Sequence, residues 1–231
     1  MKRPGFPHFA AFVALLSSAP VAGAIQITGY SSAVNDRYSS GYPAAPVPNA
    51  NPSFVALGYD LSGVGWASND SMKGLALISP RHFLATVHWG GAPAVRFQGS
   101  NGSIYSYTQQ SMEATGYGVV VSGTADLAMG TLAAPVAAST GISSFAVYDG
   151  ALPLSTPILM YGHGGSTSNS PRLAEAALTG VNVVSPSTSL FATSRTNVRV
   201  EGGDSGSPAF VQWVDPNGNN QIAIIGNNVA F

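Results

Sequence analysis

The sequence contains no cysteine, and this absence excludes disulfide bonds, zinc–thiolate sites and a cysteine nucleophile. Charged side chains are also scarce, since Asp, Glu, Lys and Arg make up only 8% of the 231 residues and leave a formal net charge of −1. Such a chain has no basic surplus to attract nucleic acid or an anionic membrane surface, so we expect neither as a partner. We predict no cofactor and no metal ion.

Long apolar runs are missing as well. After residue 24, no stretch approaches the ~20 apolar residues that a membrane-spanning helix needs. What is present is a hydrophobic content of 45% with 27 Gly and 16 Pro. That content argues against disorder, and the length suffices for one large or two small packed domains.

The first 24 residues differ from the rest of the chain. Lys2 and Arg3 are followed by an apolar stretch over residues 9–16 and by Ala22-Gly23-Ala24, a small-x-small cleavage pattern. This order predicts a secretory signal peptide that is removed before Ile25. A membrane anchor is the alternative, but the apolar stretch is too short to span a bilayer. We therefore expect export, to the periplasm, the cell envelope or the medium.

Beyond the leader, the pattern predicts an N-terminal arm and then an all-β fold. Residues 31–53 are polar and rich in proline, which is typical of an arm and not of a core element. From Phe54 onward, short β-branched or aromatic runs alternate with Gly, Asn, Ser and Pro, as in sandwiches and barrels. Residues 173–178 are helix-like but too few to outweigh that pattern. The turn at 215–220 predicts a hairpin over residues 209–226.

One short segment suggests chemistry: residues 202–208 read "GGDSGSP". The Ser205 hydroxyl becomes a useful nucleophile only if a base accepts its proton. Outside the leader, the available histidines are His82, His88 and His163. His88 and His163 each end an apolar run, where a side chain can face a cleft, whereas His82 follows Pro80-Arg81 in a turn. Each could instead be structural.

A histidine base needs an acceptor that fixes its tautomer. Asp126 opens an apolar strand, so it is a candidate for that role, and a turn cap is the alternative. Two backbone N–H groups, of Gly203 and Ser205, could converge on one point as an oxyanion hole. Asp204, between them, could lock the loop through a buried ion pair.

Four segments resemble, in order, the trypsin/chymotrypsin-like serine proteases. They are "LISPRHFLATVHW" with His88, "DLAMGTLAAPV" with Asp126, "ILMYGHGG", and "GGDSGSP" with Ser205. The resemblance covers residues 54–231 and implies two packed six-stranded antiparallel β-barrels, the first over residues 54–145 and the second over 146–231, after an arm over 25–53. It implies that Ser205 is the nucleophile, His88 the general base and Asp126 its orienting acid.

The resemblance also implies roles for residues outside the triad. Arg199 would lie at the base of the specificity pocket, although pairing with Glu201 or exposure to solvent is the alternative. Val229 belongs to the run over residues 224–231 that would wall the substrate site. A free N-terminal Ile25 would pair with Asp204. Because only 26 residues follow Ser205, we expect a second barrel that is truncated at its C-terminal end.

The sequence therefore favours a monomeric, secreted serine endopeptidase that takes a polypeptide substrate. A truncated or catalytically weak homologue that acts as a binding module is the alternative, and a β-rich secreted binding module is the related non-enzyme hypothesis. An esterase on an α/β-hydrolase fold is disfavoured, because in that fold the serine precedes the histidine, whereas here His88 precedes Ser205.

Overall fold

A computed structural model describes residues 25–116, 120–121, 124–149, 152–163, 170–177, 180–184, 187–191, 198–200 and 202–228. Among these residues, helix is limited to α1 (Ser32–Asn35) and two 3₁₀ turns, Val87–Trp89 and Ala138–Thr140. None of these helices could cross a lipid bilayer. The strands, in chain order, are β1 (Gln26–Ile27), β2 (Tyr38–Ser40), β3 (Val47–Pro48), β4 (Val64–Ala67), β5 (Asp70–Ser79), β6 (His82–Thr86), β7 (Ala94–Gln98), β8 (Ile104–Ala114), β9 (Val120–Val121), β10 (Thr124–Ala125), β11 (Leu127–Leu132), β12 (Ala146–Val147), β13 (Pro157–Gly162), β14 (Arg172–Ala177), β15 (Gly180–Val184), β16 (Ser187–Phe191), β17 (Val198–Arg199), β18 (Pro208–Val214) and β19 (Asn220–Asn227).

Six strands close into a barrel in the order β11-β6-β5-β4-β7-β8. All neighbours in it are antiparallel. In β7 the apolar Val95 and Phe97 are buried, while Ala94 before them and Arg96 between them are only half-buried. This period of two is the strand pattern that the sequence predicted. The inward side chains of the other strands, including Leu75, Leu77 and Phe83, complete the barrel core.

A second sheet has five strands in the order β12-β19-β18-β13-β14. Strands β18 and β19 form the predicted hairpin, and residues 173–177 of the helix-like stretch fall on β14, so both interpretations are confirmed. Leu178 lies outside the described residues. β15 and β16 pair only with each other in the described part of the chain. The all-β prediction is thus confirmed by one closed barrel and a second sheet, but the described strands of the second sheet do not close.

The barrel and the second sheet share one apolar core. Val64 and Leu84 from the barrel belong to the same buried cluster as Tyr161, Phe210 and Ile224 from the sheet. The opposite face of the sheet packs a separate cluster that includes Ile158, Met160 and Ile225. Burial on both faces explains why β13 and the middle of β19, residues 222–225, are apolar without alternation. The two halves therefore pack directly against each other.

The prediction that residues 31–53 contribute nothing to the core is wrong. Tyr38 and Tyr42 are buried and stack on each other with ring centroids 5.4 Å apart. Arg37 is also buried, and its guanidinium donates hydrogen bonds to Val64 O at 2.9 Å, Leu61 O at 2.7 Å and the Tyr161 hydroxyl at 2.9 Å. Because Val64 lies in the barrel and Tyr161 in the second sheet, the arm joins the two halves.

Candidate active site

Two strand ends of the barrel bring His88 and Asp126 together. Thr86, the last residue of β6, lies opposite Leu127, the first of β11. The chain after Thr86 enters the 3₁₀ turn, and the Val87 N–H donates to the Asp126 carbonyl oxygen at 2.8 Å. His88 therefore leaves β6 beside the residue that begins β11. This position agrees with the sequence interpretation of both as strand-end residues.

The His88 and Asp126 side chains form a close pair. His88 Nδ1 lies 2.7 Å from Asp126 Oδ2, and the His88 backbone N–H donates to Asp126 Oδ1 at 3.0 Å. The Asp126 side chain is 2% exposed, whereas the His88 side chain is 33% exposed. A buried carboxylate that accepts from Nδ1 fixes the tautomer in which Nε2 is a free base. Among the described residues, this is the only ion pair of a histidine with a carboxylate.

The other two candidate bases have different neighbours. His82 Nδ1 contacts Ser79 Oγ at 2.8 Å within the β5–β6 turn. His163 is 1% exposed, and its Nδ1 lies 3.2 Å from the Tyr42 hydroxyl. Burial and, secondarily, the charge of Arg37 lower the pKa of His163 to about 3. His163 is therefore a neutral, inaccessible histidine at neutral pH, and His88 is the histidine with the geometry of a base.

Ser205 lies in a loop that has two residues in the left-handed region. Gly203 has φ +101° and Gly206 has φ +82°, which only glycine adopts without strain. A Cβ on Gly206 would lie 2.5 Å from Gly74 O and 3.7 Å from Thr86 N. Gly206 is therefore pressed against the barrel two residues before His88, and Ser205, which is 2% exposed, lies next to it. The fold brings the serine loop to the strand end that carries the histidine.

The backbone around Ser205 is oriented by a turn. The Ser207 N–H donates to the Asp204 carbonyl oxygen at 3.0 Å. Asp204 C=O and Ser205 N–H belong to one planar peptide group and point in opposite directions. The bond from Ser207 therefore turns the Ser205 N–H away from the turn. That N–H is one of the two predicted oxyanion donors, and Gly203 supplies the other.

Asp204 and Ile25 are in contact. The Ile25 backbone N–H donates to Asp204 Oδ1 at 3.1 Å, and both residues are fully buried. Both residues pack against Gly162, where a Cβ would lie 2.5 Å from Asp204 Oδ1 and 2.7 Å from Ile25 Cβ. The predicted partners thus meet, and the role of this contact in activation stays a prediction.

The two predicted substrate-binding residues are Arg199 and Val229. Arg199 is exposed, and its strand β17 pairs with β1, where Arg199 lies opposite Gln26. Val229 lies outside the described residues. A role for either residue in substrate selection therefore stays a prediction.

The sequence interpretation overlooked Asn227 and Asn228. Asn227 Nδ2 donates to Gly206 O at 3.0 Å, and Asn228 exchanges backbone hydrogen bonds with Gly206 and Ser207. The available signal was a pair of amide side chains that follows the apolar strand segment 222–225 and Gly226. Two successive polar residues at such a point need partners if they are buried.

Comparisons with known proteins agree on the fold. No protein-family model matches the sequence, and no curated protein matches it. Solved structures of 667 chains match, including a mutant of human heparin binding protein (CAP37), with a TM-score of 0.52, 15% identity, and coverage of 74% of this chain and 88% of that one. That protein is a chymotrypsin-like serine protease homologue. The predicted trypsin-like fold is therefore confirmed, and at 15% identity the likeness shows the fold alone.

Proposed function

We propose that this protein is an exported serine endopeptidase that cleaves peptide bonds through an acyl-enzyme. The observation that carries the proposal is the 2.7 Å contact between His88 Nδ1 and the buried carboxylate of Asp126. This pair lies at the strand end against which the Ser205 loop packs. A base with a fixed tautomer next to a serine on a glycine-supported loop is the arrangement that nucleophilic acyl transfer requires.

The proposed reaction has two halves. Ser205 Oγ attacks the carbonyl carbon of the peptide bond, and its proton moves to His88 Nε2. The negative charge that develops on the carbonyl oxygen is stabilised by the Gly203 and Ser205 N–H groups, each of which should contribute about 100- to 1000-fold in rate. The C–N bond then breaks, and His88 returns the proton to the leaving amine. A water molecule then attacks the carbonyl carbon of the ester while His88 Nε2 accepts its proton. The bond between that carbon and Ser205 Oγ breaks, His88 returns the proton to Oγ, and the carboxylic acid product leaves.

The binding-module alternative gains no support from charge. The structural neighbour is named for binding heparin, which is a polyanion, and a protein that holds a polyanion needs clustered Lys and Arg. This chain has only nine Lys and Arg against ten Asp and Glu. We therefore do not transfer the binding in that name to this protein, and the endopeptidase remains the better-supported function.

Export is proposed together with the enzyme. The pattern over residues 1–24 places the cleavage site before Ile25, whose nitrogen lies 3.1 Å from Asp204 Oδ1. After cleavage that nitrogen would be an ammonium group with three donors and a positive charge. A charge-assisted bond of this kind is about twice as strong as a neutral one. We propose that removal of the leader stabilises the Ser205 loop, and that the mature protein acts as a monomer on polypeptides.

Labelling with a phosphonate that reacts with activated serines tests the function. The purified, secreted chain should be modified stoichiometrically at Ser205 and should cleave an unstructured protein such as casein. His88→Ala should lower both rates by at least about 100-fold because it removes the general base. His82→Ala is the matched control, since that histidine lies in a surface turn, and it should retain both. Folded wild-type protein that neither labels nor cleaves would refute the proposal.

A further inference from the structure

Two successive asparagines at the end of β19 contact the Ser205 loop from the second sheet. Asn227 Nδ2 donates to Gly206 O at 3.0 Å. Asn228 O accepts the Gly206 N–H at 2.9 Å, and the Asn228 N–H donates to Ser207 O at 2.7 Å. The side chain of Asn228, which is 7% exposed, donates from Nδ2 to Tyr161 O at 2.6 Å. Together they bind both polar groups of Gly206, the residue next to Ser205.

We propose that Asn227 and Asn228 are positioning residues that hold the Ser205 loop in its reactive conformation; this inference rests on the proposed endopeptidase function. Gly206 is the residue for which such restraint matters most. Gly206 has φ +82° and no side chain, so its backbone can adopt more conformations than that of a residue with a side chain. A bond at each end of Gly206 fixes the two peptide planes that follow Ser205.

The restraint reaches the predicted oxyanion donor through Ser207. The Asn228 N–H holds Ser207 O, and the Ser207 N–H in turn holds Asp204 O, which lies in the same peptide plane as the Ser205 N–H. Asn228 therefore acts on the donor through two hydrogen bonds. Neither asparagine needs to touch a substrate for this effect.

The pairing of β13 with β18 explains why the Asn228 side chain bonds to the Tyr161 carbonyl. β13 pairs with β18 up to Met160 opposite Ala209, so Pro208 comes opposite Tyr161. Proline has no N–H to donate. Asn228 Nδ2 supplies a donor to the Tyr161 carbonyl at this point, one residue before Gly162, which packs on Asp204 and Ile25. The same side chain thus connects β19 with the backbone that contacts Asp204.

Both side-chain bonds require an amide. The carbonyl oxygens of Gly206 and Tyr161 can only accept, so Nδ2 must face them. Aspartate has nearly the same shape but presents only acceptors when ionised. Asn227→Asp would therefore place a carboxylate against Gly206 O without changing the volume of the side chain. Because Asn227 is only half-buried, this variant tests the bond with the smaller risk of unfolding.

The experiment compares steady-state kinetics of wild type, Asn227→Asp, Asn227→Gln and the control Asn217→Asp on a chromogenic peptide amide. We expect Asn227→Asp to lower kcat by about 100-fold, on the scale of one lost oxyanion donor, with KM within about threefold. Asn227→Gln, which keeps the donor, should recover part of the loss, and Asn217→Asp, in the exposed β18–β19 turn, should have no effect. A peptide boronate that mimics the tetrahedral intermediate should bind more weakly in proportion to kcat.

Three results would overturn the inference. They are an unchanged kcat, a loss that appears only in KM, and a loss that disappears at a temperature where the variant is as folded as the wild type. If wild type neither labels nor cleaves, the proposed function fails separately. The positioning is then read from the NMR signal of the Ser207 amide, which shares a peptide group with Gly206 O. Asn227→Asp should shift it and Asn217→Asp should not, and an unshifted signal refutes the positioning.

Discussion

Lowering the pH from 7 to 4.5 should destabilise the fold through His163. This side chain is fully buried, and the groups that face it include the Tyr42 hydroxyl at 3.2 Å, the Tyr161 ring at 5.6 Å between centroids, the Ser71 backbone and the charge of Arg37. The Tyr42 hydroxyl donates its proton to Ser71 O. It therefore accepts from His163 Nδ1, which leaves Nε2 as the site that a proton would have to enter. Burial and the Arg37 charge lower the pKa of His163 from 6.5 to about 3.

The sign and size of the effect follow from proton linkage. An unfolded chain protonates His163 near pH 6.5, whereas the folded protein does so only near pH 3. Between these values the unfolded state binds more protons, so the free energy of unfolding falls as the pH falls. The loss is absent above pH 6.5 and complete below about pH 3. Between these values each pH unit lowers the free energy of unfolding by about 1.4 kcal/mol. At pH 4.5 the protein should therefore be about 3 kcal/mol less stable than at pH 7.

Urea unfolding followed by tryptophan fluorescence, at several pH values between about 4.5 and 7.5, measures this loss. His163→Gln keeps an N–H donor for Tyr42 but cannot titrate, so its free energy of unfolding should fall less steeply towards acid than that of wild type. His82→Gln is the control for a histidine elsewhere in the fold and should leave the steep fall intact. The reasoning is refuted if the free energy of unfolding falls equally steeply with pH in wild type and His163→Gln. It is also refuted if the imidazole ¹⁵N signals of folded His163 titrate near pH 6.5.

Two further predictions concern the contacts around the Ser205 loop. N-terminal sequencing of the exported protein should begin at Ile25, and a variant with extra residues before Ile25, or Asp204→Asn, should lose about 10- to 100-fold in kcat/KM, the value of one charge-assisted hydrogen bond; full activity in the extended variant would exclude a role for a free Ile25 ammonium. Gly74→Ala should lower stability by about 1–3 kcal/mol, because its methyl group would lie 2.7 Å from Ser207 Oγ and 2.8 Å from His163 Nε2; urea curves identical to wild type would show that these side chains move aside freely.

Local pattern was enough to predict the strands and the order of the candidate site. Short β-branched runs and the turn at 215–220 predicted the β18–β19 hairpin, since each signal lies within a few residues. The His88–Asp126 pair was predictable because both residues sit at strand ends in a recognisable order. Their 2.7 Å contact follows from the pairing of β6 with β11, which sequence alone does not specify.

The arm could not be predicted in this way. Residues 31–53 are polar and proline-rich, yet Tyr38 and Tyr42 are buried. Their burial depends on Trp66 and His163, which are distant in sequence. The buried guanidinium of Arg37 likewise depends on carbonyls and a hydroxyl supplied by other elements. A reading based on composition treats such residues as surface, because the acceptors that make burial of a charge tolerable are visible only in the fold.

The three hydrogen bonds of Arg37 also bear on whether the barrel and the second sheet can rotate against each other. Many two-lobed enzymes open and close by rotation about a hinge, and a few exposed residues absorb the change. Here a single guanidinium bonds to Leu61 O, Val64 O and the Tyr161 hydroxyl. These bonds lie inside a core that the barrel and the second sheet share. A hinge motion would have to break these bonds and separate that core. We therefore expect the barrel and the second sheet to move together, so that under the proposed function any difference in the polypeptides accepted would arise from the surface loops and not from a hinge.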